Sequence, residues 1–222
     1  MIDIRVRALF SCRSALLSPL FEKQYPWEIL QALPAYIREL IRSGIDGYTE
    51  YADGVLMGSG ATVAPTAVII PPAVIGSGTE IRPGAYLRGN VIIGENCVVG
   101  NSTEIKNAIL LDHVQVPHYN YVGDSILGNG AHLGAGAICS NLRSDKREVV
   151  IHAEKDYPTG LQKLGGLVGD GAEVGCGCVL NPGTVIGKNT SVYPLTSLRG
   201  CYPENSIVKS TAETVCKRET GE

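Results

Sequence analysis

The chain has 222 residues, a formal charge of −3 and a pI near 5.8. That is length enough for one ordinary domain plus an added segment, and the charge gives no footing to nucleic acid or an anionic membrane as partner. Only 6% of residues are aromatic while 27 are glycine and 12 are proline, a composition of repeated tight turns rather than of a helical globule. No apolar run is long enough for a membrane span, and MIDIRVRALFSCRSALL lacks the apolar stretch and cleavage site of a signal peptide, so a soluble, cytoplasmic protein is expected.

Residues 1–25 carry no clear period and read as a strand and a loop packed on the base of the repeat domain that starts near residue 51. PWEILQALPAYIRELIRSG (26–44) places Ile29, Leu30, Leu33, Ile37, Leu40 and Ile41 at helical spacing. Pro26 suits a first helical position and Gly44 a terminating one, and Pro34 is expected to divide the segment into two short helices.

From Met57 the pattern changes. Stepping by six gives Met57, Val63, Ile69, Ile75, Ile81, Leu87, Ile93, Val99, Ile105 and Leu111, all apolar, with small or β-branched residues four positions after most of them. A second run does the same through Val168, Val174, Leu180, Ile186, Val192 and Leu198. A helix of 3.6 residues per turn drifts out of phase with a period of six, and a strand of period two would fill more of the intervening positions. One large and one small inward residue per six fit a short strand and a tight turn, three such units to a coil. About twenty units make roughly seven coils, a prism a little over ~30 Å tall at strand spacing, whose coils bury their core only against one another.

Between the runs, SNLRSDKREVVIHAEKDYPTGLQKLGG (140–166) breaks the frame, and EVVIHAE within it reads as a strand of a protruding loop or hairpin. The polar tail after Val208 is expected to fray. The division read from these patterns is an N-terminal extension with helix (1–50), an all-β repeat domain (51–210) and a tail (211–222). The seven cysteines (12, 97, 139, 176, 178, 201, 216) are odd in number and scattered, which suits reduced thiols. Cys97 and Cys178 fall in the small inward slot. The pair Cys176-x-Cys178 has no partner pair at zinc spacing, so no metal is expected.

The six-residue frame slips by one residue at Val116, resumes at Val122, slips by one again at Leu127 and runs on to Leu133, and the slips bracket His118-x-x-Tyr121. Departures from a local rule concentrate at functional sites. Stacking coil on coil sets Val122 over Ile105, Tyr121 over Glu104 and Gly123 over Lys106, and Pro117 two coils above Arg82. His118 then stands about 10 Å along the axis from Arg82. A histidine above an arginine–lysine pair suits a small phosphorylated amine, with phosphate on the cations and nitrogen at the imidazole.

RPGAYLRGNVIIGENCVVGNSTEIKNAIL (82–110), followed by HYNYVGDSILGNGAHLGAGAICSN (118–141), resembles the acetyltransferase half of the bifunctional glucosamine-1-phosphate acetyltransferase / N-acetylglucosamine-1-phosphate uridyltransferase. The run at 159–194 and the NLRSD loop look closest to archaeal-type sugar-phosphate members, and PWEILQAL is similar to the linker helix that follows their nucleotidyltransferase domain. The resemblance covers about residues 25–210 and implies a left-handed parallel β-helix of hexapeptide repeats, acetyl-CoA as co-substrate and a place in nucleotide-sugar biosynthesis. It implies that Arg82, Lys106 and Tyr121 hold the sugar phosphate, that His118 is the general base, and that Ala135 offers its amide near the thioester. It further implies that Asn141 borders the substrate, and that Lys146 and Arg147 approach the coenzyme or substrate.

Two departures stand out. Where bacterial members carry an asparagine near the substrate, this sequence has His132, which leaves the amino sugar open. Residues 1–56 contain no G-x-G-T-x-M loop and are too short for a nucleotide-binding domain, so no uridyltransferase activity is expected. The reaction expected is acetyl transfer to the amino group of a sugar 1-phosphate, glucosamine-1-phosphate first among candidates. Imidazole, with an ordinary pKa of about 6.5, can take the ammonium proton. The alternative is a non-catalytic sugar-phosphate-binding or regulatory β-helix. A gamma-class carbonic anhydrase would need three converging histidines, and His113, His118, His132 and His152 have the wrong spacing. Because the candidate residues lie on an outer face and corner, and small-molecule sites are concave, three prisms packed as a homotrimer are expected to complete the site.

Overall fold

The computed structural model describes residues 2–12, 14–210 and 213–216. From Val55 onward the chain winds into a left-handed parallel β-helix, visiting a first, second and third face in turn in every coil. The first face holds eight parallel strands, from Val55–Gly58 to Cys201–Tyr202, with Tyr48–Ala52 added antiparallel at its end. The second holds eight, from Thr62–Val63 to Ser206–Ser210, and the third seven, from Val68–Ile70 to Ser197–Leu198. The stack is thus taller than the roughly seven coils the repeat suggested.

Most inward aliphatics are those the period of six picks out: Ile81, Leu87, Ile93, Val99, Ile105, Val116, Val122, Leu127 and Leu133 are each at most 1% exposed. Leu111 is the exception, because the unit after Ile105 is one residue short: Leu110 fills the prism, in register with Ile93, and Leu111 joins the outer layer. Coils approach so closely that some positions admit only glycine. A Cβ on Gly100 would lie 1.6 Å from the Pro117 carbonyl oxygen. Cys97 and Cys178 lie buried in the small slot as expected, and burial pushes the thiols of Cys97 and Cys139 up to about 12.

The first face differs from the other two because its outward side chains are also buried. Leu56, Val74, Ile92, Ile109, Ile126, Leu167 and Val185 form a second core with the N-terminal segment. That segment is two short helices, α1 (Val6–Leu9) and α2 (Ser18–Phe21), followed by α3 (Pro26–Ser43). Residues 1–25 are therefore not a strand and a loop on the prism's base. Val6, Leu9, Phe10, Leu17 and Leu20 are each at most 4% exposed and join the lateral layer over the first face.

Helix α3 is also continuous, and Pro34 does not divide it. Proline inside a helix costs about 3 kcal/mol. Ile29, Leu30 and Leu33 before it and Ile37 after it bury on the same core at 0–3% exposure, and each such side chain contributes roughly 1.5–3 kcal/mol. That burial holds the two halves in line. Pro26 opens the helix, Tyr25 N–H donates to Glu28 Oε2 at 2.9 Å, and Gly44 at φ 73° ends it.

The 140–166 excursion likewise folds back instead of protruding. Val150–His152 pairs antiparallel with Asp156–Pro158, and Val149, Ile151 and Leu164 enter the second core. Gln31 Nε2 donates to Thr159 O at 3.0 Å, and the Tyr157 ring lies 5.6 Å from Tyr25, itself stacked on Trp27 at 4.6 Å. Part of the expected fraying tail is ordered, since Glu213–Cys216 returns antiparallel on Ser206–Ser210. Residues 211–212 and 217–222 of that expectation lie outside the described residues. No helix among the described residues is long and apolar enough to cross a membrane.

Candidate active site

The stacking inferred from the slipped frame is the observed register: Glu104 pairs with Tyr121, Ile105 with Val122 and Lys106 with Gly123. His118 ends a second-face strand opposite Asn101, at the corner where the chain turns to the third face. Tyr119 follows at φ 51° and is 64% exposed, and Asn120 then turns inward at 2% exposure. One coil higher, Gly136 N–H donates to His118 O at 2.9 Å, which sets Ala135 directly above His118. Ala135 is exposed, and among the described residues its N–H meets no acceptor. An exposed imidazole and a free backbone donor therefore occupy successive coils of one corner.

Around that corner, on the third face, Tyr121, Asn141 and Asp124 form one group. Asn141 Nδ2 donates to Tyr121 Oη at 3.2 Å and to Asp124 Oδ2, while Asn107 Nδ2 donates to Asp124 Oδ1 at 2.8 Å. The tyrosine lies flat across Gly123, where a Cβ would come within 2.5 Å of its hydroxyl. Lys106 lies one coil below Gly123 on the same face. Burial pushes the Tyr121 hydroxyl up, reinforced by the carboxylates of Asp124 and Glu104, so it is held as a neutral donor.

The remaining candidates stand apart from this group. Arg82 keeps its place two coils below Pro117, but its guanidinium turns to Glu80 on its own strand, with contacts of 2.9 and 3.0 Å. His132 pairs in register with Gln115 below and Glu173 above on the second face, and its Nδ1 lies 2.8 Å from Glu173 Oε2. It does not join the Tyr121–Asn141 group. Lys146 and Arg147 are exposed in a turn fastened by Lys146 N–H to Arg143 O and by Arg147 N–H to Asp145 Oδ1. Among the described residues, no group of three or more His, Cys, Asp or Glu is disposed to hold a metal ion.

Two residues here were not singled out from the sequence. Asp124, 6% exposed at φ 48°, underlies Tyr121 and Asn141, and Asn120 sits beneath His118. Their signal was an amide and a carboxylate in a repeat whose other fully buried polar side chains are threonine and serine. A cleft of about 320 Å³ opens higher up, between the 140–145 loop and the corner of Asn181 and Arg199, but neither His118 nor Tyr121 lines it. In a single chain the His118 corner is open surface.

Residues 69–155 match the family described as the GMPPB C-terminal domain. The chain is 40% identical over 198 residues to the bifunctional protein GlmU of Methanococcus maripaludis strain C7, covering 88% of this chain and 48% of that one. The likeness read from the motifs holds. A bifunctional sugar-1-phosphate nucleotidylyltransferase/acetyltransferase of Sulfurisphaera tokodaii is 34% identical over 92 residues, 41% of this chain and 23% of that one. The chain thus spans about half the length, or less, of the curated relatives it matches. Among solved structures, AntD, an N-acyltransferase from Bacillus cereus in complex with dTDP and coenzyme A, aligns over 79% of this chain and 93% of its own. That alignment is at 14% identity with a TM-score of 0.42.

Proposed function

We propose that this GlmU-like chain is an acetyltransferase that moves acetyl from acetyl-CoA to the amino group of a sugar 1-phosphate, with glucosamine-1-phosphate the leading acceptor. The observation that carries the reading is the stacking of an exposed His118 beneath the free Ala135 amide, beside Tyr121, Asn141 and Lys106. One relative adds weight, because its name pairs a sugar-1-phosphate nucleotidylyltransferase with an acetyltransferase.

In the proposed reaction Lys106 and the neutral Tyr121 hydroxyl bind the acceptor's phosphate and ring oxygens. The His118 imidazole takes a proton from the ammonium, and the freed nitrogen lone pair attacks the thioester carbonyl. Ala135 N–H stabilises the tetrahedral oxyanion. The nitrogen sheds its second proton to solvent as the intermediate collapses and the C–S bond breaks, and the thiolate that leaves as coenzyme A recovers the first proton from the imidazolium. Arg82 serves the phosphate once released from Glu80. Lys146 and Arg147 meet the coenzyme or a substrate oxygen, and His132 borders the sugar when Glu173 lets it go.

The open corner needs a second wall, and we propose a homotrimer in which a neighbouring prism supplies it. The first face is already sealed by the chain's own helices, which leaves the second and third faces for contact. Val68, Ile70 and Tyr86, 39–49% exposed on the third face, give that contact apolar surface. Light scattering should report a mass near three times 23.5 kDa. A fully active monomer at nanomolar concentration would end the shared-site proposal.

Thiol release from acetyl-CoA, measured against a panel of amino-sugar 1-phosphates, tests the activity. Acceptor-dependent release is expected. Saturable sugar-phosphate binding without release would favour a non-catalytic binding protein instead.

A further inference from the structure

The inward small slot at the corner between the second and third faces is filled, coil by coil, by Ala67, Ala85, Thr103, Asn120, Ala137, Cys178 and Thr196. Asparagine occurs there once, in the coil that carries His118. A buried amide must satisfy two donors and an acceptor or lose on the order of 1–3 kcal/mol for each group left unpaired. Where the slot holds threonine the need is smaller: Thr103 Oγ1 donates one bond, to Val116 O at 3.0 Å in the next coil.

Asn120 does more than a threonine could. Its Nδ2 donates to Gly134 O at 2.7 Å and to Ala137 O at 3.3 Å, the two carbonyls that bracket the Ala135 turn. Its Oδ1 accepts the His118 N–H at 3.1 Å. Its own N–H donates to Thr103 Oγ1 at 3.3 Å, which anchors it to the coil below. One 2%-exposed side chain therefore ties the peptide carrying the imidazole to the turn carrying the free amide. Both of those turns are otherwise exposed, and Tyr119 between His118 and Asn120 is held at φ 51°.

We infer that Asn120 is a positioning residue, a buried clamp that fixes the spacing between the proton acceptor at His118 and the oxyanion donor at Ala135. The inference rests on the acetyltransferase reading above. It assigns Asn120 no contact with substrate. Its role is geometric: the imidazole and the amide must serve one carbonyl from two different coils, and a misplacement of about 1 Å can cost on the order of 100-fold in rate.

The test variant is Asn120→Thr, which puts into the slot the residue that Thr103 and Thr196 show the fold accepts. It can keep one bond to the coil above, and it loses the acceptor for the His118 N–H. Expected are a melting temperature within a few degrees of wild type, KM for both substrates within about threefold, and kcat lower by roughly 10- to 100-fold. Combined with His118→Ala, the threonine should lower kcat by much less than it does alone, because the group it positions is gone. Amide hydrogen exchange on the wild-type protein gives a second reading that does not need the variant to fold. Slow exchange at the His118 N–H, in an exposed turn, is expected. An active wild type with an equally active Asn120→Thr variant, a loss confined to KM, or fast exchange at His118 overturns the clamp. A wild type that transfers no acetyl group to any acceptor overturns the functional reading instead, and the exchange result then decides whether the tether itself exists.

Discussion

The first face and the His118 corner are built from the same repeat and serve opposite ends. On the first face seven successive coils present an outward aliphatic, from Leu56 to Val185, and helices α1–α3 with the Val150–Pro158 hairpin cover the row. At the His118 corner the outward positions are His118, Tyr119 and Ala135, all exposed, and the apolar row is missing. The difference separates where the chain keeps its stability from where the proposed chemistry lies. Substitutions should separate the two cleanly.

The largest separation is expected at His118. His118→Ala should lower kcat by on the order of 10² to 10⁴ while acetyl-CoA binding and the thermal melt stay as they were. Undiminished turnover would remove the imidazole from the reaction. On the other side of the comparison, Ile109→Ala empties a fully buried outward position of the first face. It should cost about 2–5 kcal/mol in urea unfolding with kcat of the folded protein unaltered. Stability equal to wild type would mean that the helical layer is not a true core.

A smaller effect should appear with pH. Burial pushes the thiols of Cys97, Cys139 and Cys201 from 9.0 up to about 12, so the folded chain keeps protons that the unfolded chain gives up between those values. Stability is therefore full below pH 9 and falls as pH rises towards 12. At pH 9.5 the loss is about 0.8 kcal/mol per thiol, readable as a drop in melting temperature between pH 8 and 9.5 that shrinks in Cys97→Ala. A melting temperature flat across that range would contradict the burial argument. Least of all, Tyr121→Phe removes the hydroxyl that Asn141 donates to. It should raise KM for the acceptor roughly 2- to 10-fold, the worth of one hydrogen bond, with acetyl-CoA KM unmoved. An unchanged acceptor KM would take Tyr121 out of the binding site.

How much of this could be read from the sequence differs between the same two regions. The period of six is legible because one large aliphatic must fill the prism in every unit, whichever face it serves. The one residue missing between Ile105 and Val122, read at Val116 and found at Leu110, gave the right register for Tyr121 over Glu104. The sealed face was less visible. It shows as apolar doublets such as Val74-Ile75, Ile92-Ile93, Ile109-Leu110 and Ile126-Leu127, one in each coil. A doublet supplies an inward and an outward residue at once, but its spacing becomes a stripe only when the coil length is known. Without that stripe the helical segment had no docking surface, and Pro34 looked decisive when burial on both sides of it was the stronger term. Asn120 and Asp124 were passed over for a related reason. Their roles lie in contacts to other coils, 14 to 17 residues away, and their types are ordinary in turns.

The ties of the N-terminal segment also set an order of events during synthesis. Ser11 N–H donates to Asp170 Oδ2 at 2.8 Å, Asp170 N–H donates to Leu9 O at 3.0 Å, and Lys188 Nζ reaches Ser11 Oγ at 2.8 Å. The helical segment, made before the prism, is thus bound to coils translated 159 to 177 residues after it. Its leucines and isoleucines have no complete surface to close on until Val185 has been translated. Domains otherwise tend to fold as they emerge, and open apolar surface invites aggregation in the interval. The delay is written into the topology: helices made ahead of the prism wait for its later coils before their apolar side is sheltered.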